Sequence, residues 1–161
     1  MNKRKLLDLV IKEVELRYEA LAKSALEAKD AATNEESKAE NKYDTRGLEA
    51  SYLAGAQAER SEKLKESLFY LQKITDEDLV NKNKEVKLLS IVKLADEDNS
   101  ERYLFITPAQ GGIKVKMNQT DIQTITLSSP IGKLLLSKKL GDEVSLKQGK
   151  LEKYFEVLSI D

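Results

Sequence analysis

Of the 161 residues, none is cysteine, histidine or tryptophan. Without cysteine there is no disulfide and no thiolate to bind a metal. Without histidine there is no Ser-His or Cys-His nucleophile, no imidazole-ligated zinc and no imidazole proton carrier. Without tryptophan, and with three phenylalanines, an aromatic-lined ligand pocket is poorly supplied. Long apolar runs are missing too, and none approaches the length of a membrane span. The start, Met1 to Asp8, is basic, but Asp8 and Lys12 interrupt the apolar core that a signal peptide needs. A formal net charge of −1 gives no global field for nonspecific nucleic-acid binding. These absences describe a soluble, cytoplasmic chain without a membrane partner.

What is present is charge laid over a helical pattern. Hydrophobic residues make up 40% and charged residues 34% of the chain, too apolar for disorder and rich enough in charge for long exposed helical surfaces. From Leu7 the apolar spacing alternates four and three through Ile11, Val14, Tyr18, Leu21, Ala25, Ala28 and Ala32. A second seam runs through Tyr43, Gly47, Ala50, Ala54, Gln57, Ser61, Leu64, Leu68 and Leu71. Both are heptad seams of about 3.5 residues per turn. They taper in mirror image, with large residues at the outer ends and small ones toward the middle of the sequence. An antiparallel hairpin pairs large with large and small with small, and its small-residue end should be thin. Each helix is expected to span roughly 30 residues, about 45 Å.

Between the seams lies Asn34 to Asp44, which carries Glu35, Glu36, Glu40 and Asp44 against Lys38 and Lys42. The tip of the hairpin is expected near residues 34–43. A rod bearing carboxylates so far from the body of a protein suits delivery of acids, or of a blocking surface, into another macromolecule's active site. A plain dimerising hairpin is the competing reading, and the taper argues against it.

The heptad breaks at Thr75 to Asp78, so the domains are expected at 1–77 and 78–161. Residues 80–161 are slightly basic, with 13 basic against 11 acidic side chains. Strands are expected over Val86 to Leu94, Tyr103 to Ile106, Ile113 to Met117, around Ile122 and Ile125, and at Val144–Leu146 and Tyr154–Ile160. Gly111-Gly112 reads as a hairpin turn. Ser129, as N-cap with Pro130 at the first helical position, opens a helix over Ile131–Lys138. The fold class is α+β: a helical hairpin, then a small antiparallel sheet of about five strands with one short helix. Ser128, Ser129 and Ser137 have no histidine to activate them, and no catalytic set is visible.

The order Thr107-Pro108-Ala109-Gln110-Gly111-Gly112, Ser129-Pro130-Ile131-Gly132-Lys133-Leu134-Leu135, Gly141-Asp142-Glu143-Val144 and Phe155-Glu156-Val157-Leu158-Ser159-Ile160 resembles the C-terminal domain of Gre-type bacterial transcription elongation factors. The preceding hairpin fits that family's coiled coil, so the resemblance covers nearly the whole chain; Glu40 to Thr45 resembles a divergent subgroup. The resemblance implies an FKBP-like C-terminal domain that docks at the rim of RNA polymerase's secondary channel, with Pro108, Ser129, Pro130 and Ile131 in the docking region. The coiled coil enters the channel and its tip reaches the active site. In cleaving members, an aspartate and a glutamate at the tip help hold a second Mg²⁺, and the polymerase hydrolyses the extruded RNA of a backtracked complex. The factor is then an accessory of the polymerase rather than an enzyme, meets nascent RNA indirectly and works as a monomer. It carries no cofactor alone and shares Mg²⁺ with its partner.

The tip departs from the family pattern Gly-Asp-Leu-Ser-Glu-Asn-Ala-Glu-Tyr. Glu40 matches the glutamate, but Ser37 occupies the aspartate position and Asn41 to Tyr43 is one residue short. Glu36 and Asp44 are the alternatives for the second acid; Glu36 and Glu40 are one helical turn apart. Two polymerase-directed readings stay open, cleavage or occupation of the channel without cleavage. A chaperone or prolyl isomerase is a third, and the shortage of aromatics argues against it.

Overall fold

The computed structural model describes residues 1–33, 46–149 and 151–161. Two long helices, α1 (Lys3–Thr33) and α2 (Arg46–Gln72), form an antiparallel hairpin. They precede a six-stranded sheet built from β1 (Ile91–Asp96), β2 (Glu101–Ile106), β3 (Lys114–Met117), β4 (Thr120–Ile125), β5 (Glu143–Gln148) and β6 (Leu151–Ile160), with a short helix α3 (Pro130–Leu135) between β4 and β5. The chain divides into two compact units, Val14–Phe69 and Met1–Glu13 with Tyr70–Asp161.

In the helical unit the expected seam is visible as burial. Ser61, Leu64 and Leu68 of α2 are buried, and Gly47, Ala50, Ala54 and Gln57 are half-buried among exposed neighbours. On α1, Val14 and Ala28 are buried and Tyr18, Leu21 and Ala25 half-buried. Small side chains leave a shallow apolar groove lined by Ala22, Ala25, Leu26, Ala54, Gly55 and Ala58.

In the other unit, the first turns of α1 bury a wider stripe than a coiled-coil seam. Leu6, Leu7 and Val10 are all fully buried, while Ile11 is only half-buried. Positions i, i+1 and i+4 face a globular core rather than a single partner helix. Polar contacts tie this segment to the chain after α2. The Arg4 guanidinium donates through Nε to Asp76 Oδ1 at 2.6 Å and through Nη2 to the Ile74 carbonyl at 2.9 Å. Lys3 Nζ donates to the Leu79 carbonyl at 2.8 Å. Burial holds the Lys3 ammonium below the usual lysine range, with the Asp161 carboxylate opposing that shift.

The segment after α2 is turned by Thr75 and Asp78. Thr75 N–H and Oγ1 both donate to Asp78 Oδ2 at 2.8 Å. These bonds favour the ionised carboxylate and hold Asp78 below its ordinary value of 3.8. A depressed folded-state value stabilises above the unfolded value and loses that contribution as pH falls through the folded one. Asp78→Asn should therefore flatten the acid limb of the stability profile below about pH 4, read as urea midpoints against pH. An unchanged limb would remove this turn from the account.

The sheet order is β3-β4-β2-β1-β6-β5. Central strands β1 and β2 have consecutive buried residues, Ile91-Val92 and Leu104-Phe105-Ile106, so both their faces are covered. One face is the core of Val92, Leu94, Leu104, Ile106, Leu135 and Phe155, with further apolar side chains around it. The expected α+β class holds, but the sheet is mixed. Pairing of β2 with β4 is parallel, with Ile106 beside Ile125, while the other pairings are antiparallel. Gly111-Gly112 accordingly does not close a β2–β3 hairpin. The tight turn is at Asn118-Gln119, where φ is +50° and +66° and Met117 pairs with Thr120. Two successive positive φ values match the two-residue turn that follows the natural twist of a hairpin.

Two expected elements are shorter than read. The Val86–Leu94 run becomes a strand only from Ile91, because Val86 bonds elsewhere: its N–H donates to the Lys138 carbonyl, and its carbonyl accepts from Ser137 N–H, both at 2.8 Å. The helix expected over Ile131–Lys138 ends at Leu135, since Ser137 takes a left-handed φ of +63°.

Candidate functional site

The sequence placed its site in two regions, and the structure describes one of them. Glu36, Ser37, Glu40 and Asp44 lie outside the described residues. The helices on either side end at Thr33 and begin at Arg46. As a donor set, the acids between them are carboxylates without cysteine or histidine, which fits a hard cation such as Mg²⁺.

The second region is built from the ends of β2 and β4. Their parallel pairing brings Thr107 and Thr126 to the same end of the sheet. Thr107 N–H donates to the Ile125 carbonyl at 2.8 Å, and Ser129 N–H to the Thr126 carbonyl at 3.0 Å. The Pro108 loop and the Ser129-Pro130 helix start therefore leave the sheet together. An all-antiparallel reading could not have foreseen that juxtaposition.

Each residue at the helix start has a physical reason. Ser129 is extended, with φ −68° and ψ 154°. Its Oγ accepts from Gly132 N–H at 3.1 Å and donates to the Thr126 carbonyl at 2.7 Å. Ser129 is thus an N-cap occupied on both sides. Pro130 needs no N–H partner at the first helical position and stands exposed, while Ile131 is half-buried against the sheet core. Gly132 is buried, and a Cβ there would run into the Thr126 carbonyl and crowd Ser129 Oγ. The Ser-Pro-Ile-Gly order is a capped turn pressed against the end of β4, presenting a rigid proline to solvent. Replacing Ser129 by Ala should cost about 1 kcal/mol, read by urea denaturation; a change within about 0.3 kcal/mol would contradict the cap assignment.

The Pro108 loop is fixed by Thr124. Its Oγ1 accepts from Ile113 N–H at 3.0 Å and donates to the Gln110 carbonyl, and its carbonyl accepts from Gly112 N–H at 2.7 Å. Gln110 and Gly112 both have positive φ, +58° and +88°. Pro108 is exposed at a shallow cavity shared with Tyr70, Ile74, Leu88 and Leu89. The sequence reading missed Tyr70 and Leu88, exposed at 59% and 38%. Tyr70 lay beside the Leu68–Leu71 seam and Leu88 inside an apolar run read as strand, so nothing local set them apart.

No described helix is long and apolar enough to cross a membrane. The family model for "Transcription elongation factor, GreA/GreB, C-term" matches residues 81–161. No curated protein matches the chain. Among solved structures, the chain is similar to the GreA factor homolog 1 (Gfh1) of Thermus thermophilus at 22% identity, covering 94% of each chain with a TM-score of 0.37. Gfh1 of Thermus aquaticus is 23% identical over 92% of each chain, with a TM-score of 0.39. A GreA/GreB factor from Nitrosomonas europaea is 20% identical over 64% of this chain and 90% of its own, with a TM-score of 0.38. The family model spans half of this sequence, and the chain belongs to the GreA/GreB family of transcription elongation factors.

Proposed function

We propose that this chain binds RNA polymerase at the secondary channel, docks through residues 78–161 and promotes cleavage of the transcript in backtracked complexes. Membership of the family, established over residues 81–161, is the observation that carries the reading. The exposed Pro130 on its capped turn and the neighbouring Pro108 loop form the docking region. The hairpin supplies reach: α1 has 31 residues and α2 has 27, which at 1.5 Å per residue makes helices of about 46 and 40 Å. The chain itself is an accessory factor and performs no chemistry alone.

In the segment between the two helices, Glu40 is the first acid, and Glu36 or Asp44 the second. Carboxylate oxygens there would hold Mg²⁺ jointly with the polymerase's own acids. Such an ion lowers the pKa of bound water and orients its attack on phosphate. A few exposed carboxylates bind Mg²⁺ weakly by themselves, so the free protein should carry no tight site.

One observation favours a second reading. Ser37 stands where cleaving members have an aspartate, and the tip is one residue short after Asn41. On that reading the hairpin occupies the channel and inhibits or modulates transcription without cleavage. Both readings need the same placement, which site-specific photo-crosslinking tests. A crosslinker at position 130 and another at position 41 should each label the polymerase's catalytic subunits. Labelling from position 130 with none from position 41 would overturn insertion of the hairpin.

A further inference from the structure

Two of the basic segments in the sheet-bearing unit lie side by side. Residues 82–87 carry three lysines and one glutamate, and residues 133–140 three lysines and no acid. Together they hold a net +5 in a chain whose formal net charge is −1. Backbone bonds bring the segments side by side: Val86 with Lys138 and Ser137, and Glu85 with Lys139 across an isolated antiparallel bridge. Lys84 and Lys139 are exposed. Lys138 Nζ instead donates to the Glu143 carbonyl at 3.2 Å. The left-handed Ser137 follows the end of α3, and three leucines around it lie outside the core. Leu134, Leu136 and Leu140 are exposed at 37%, 48% and 68%.

Lysines alone would suit a phosphate backbone. Exposed leucines beside them do not, because phosphates offer no apolar surface to cover. Asp142 borders this surface, its carboxylate accepting from Lys139 N–H at 2.8 Å, and with Glu85, Asp142 and Glu143 counted against the six lysines the net charge is still +3. Apolar side chains joined to net positive charge match a protein segment with apolar residues flanked by carboxylates. We infer that the Lys84–Lys139 surface, with Leu136 and Leu140, docks an acidic, apolar-faced segment of the partner protein. This rests on the polymerase reading above. It adds to Ser129 and Pro130 a second surface, beyond the C-terminal end of α3, and names the chemistry it selects.

The test uses the full chain and core RNA polymerase, with affinity measured at low and high salt. Lys84→Glu/Lys139→Glu should weaken binding about tenfold or more at ~0.05 M salt, with the difference shrinking to within about threefold at ~0.5 M as screening shortens the electrostatic range. Leu136→Ser/Leu140→Ser should weaken binding at both salt concentrations. All four positions are exposed, and unchanged melting temperatures would show the variants folded. Variants that bind like the unmutated chain overturn this surface and leave the polymerase reading intact. An unmutated chain that does not bind polymerase at all overturns both. Binding that nuclease treatment abolishes would make the ligand a nucleic acid. Charge reversal that only dissolves a self-associated form would make it a second copy of this chain. Either result overturns the assignment.

Discussion

Glu40→Ala should abolish stimulated transcript cleavage, by about a hundredfold or more, while affinity for polymerase stays within about twofold. The size follows from what a positioned metal ion supplies, several kcal/mol of stabilisation in the transition state, at about 1.4 kcal/mol per tenfold in rate. The selectivity follows from the division of labour in the chain. Docking is assigned to the Pro108 and Ser129–Pro130 region, which Glu40 does not touch in sequence. Glu36→Ala and Asp44→Ala, measured alongside, identify the second acid as whichever variant repeats the Glu40 effect. Parallel loss of binding and cleavage in Glu40→Ala would make the tip an anchor instead of a donor of carboxylates.

The second large effect is expected at Gly132. Alanine is the better helix former by about 1 kcal/mol, so propensity alone predicts a gain at this position. Sterics reverse the sign. The added methyl would occupy the space of the Thr126 carbonyl and crowd Ser129 Oγ, and the carbonyl is already anchored by Ser129 N–H and Oγ. To relieve the overlap, α3 must move off the end of β4 and lose both the cap and the seat of Leu135, which is fully buried. Overpacking of this kind costs about 1–3 kcal/mol, and loss of the cap about 1 more. Gly132→Ala should therefore destabilise by about 3 kcal/mol and weaken polymerase binding more than tenfold, because Pro130 moves with the helix. A destabilisation under about 0.5 kcal/mol in urea unfolding would show that α3 yields freely and that the glycine is incidental.

These two residues mark what was readable in the sequence. From Gly47 to Leu71 the α2 seam was legible position by position, because a two-helix contact is local and repeats every seven residues; its first expected position, Tyr43, lies outside the described residues. Leu6 and Val10 were not, because a heptad names only the residues that face a partner helix, whereas the start of α1 enters a globular core. The Ser129 cap was legible, since capping uses residues three apart. The role of Gly132 was not, because its neighbour is the Thr126 carbonyl, set by how α3 folds back on β4. The parallel β2–β4 pairing escaped for a related reason. Alternation within a strand shows which face is buried but not which strand lies beside it. The Asn118-Gln119 turn contains no glycine, so Asn118 was its one weak signal, and Gly111-Gly112 does turn but joins β2 to β3, which do not pair. Of the proposed site, the Ser129–Pro130 half can be examined residue by residue. The acids at 36, 40 and 44 are distinguished by the Glu36→Ala, Glu40→Ala and Asp44→Ala variants.

The most direct measurement adds the unmutated protein to stalled, backtracked RNA polymerase complexes with Mg²⁺ present and resolves the transcripts by length. Release of short 3′ fragments is expected, with shortened transcripts that the polymerase can extend again. Intact transcripts, together with inhibition of cleavage by a second, active factor competing for the channel, would contradict it and assign Ser37 to a chain that fills the channel without cleavage.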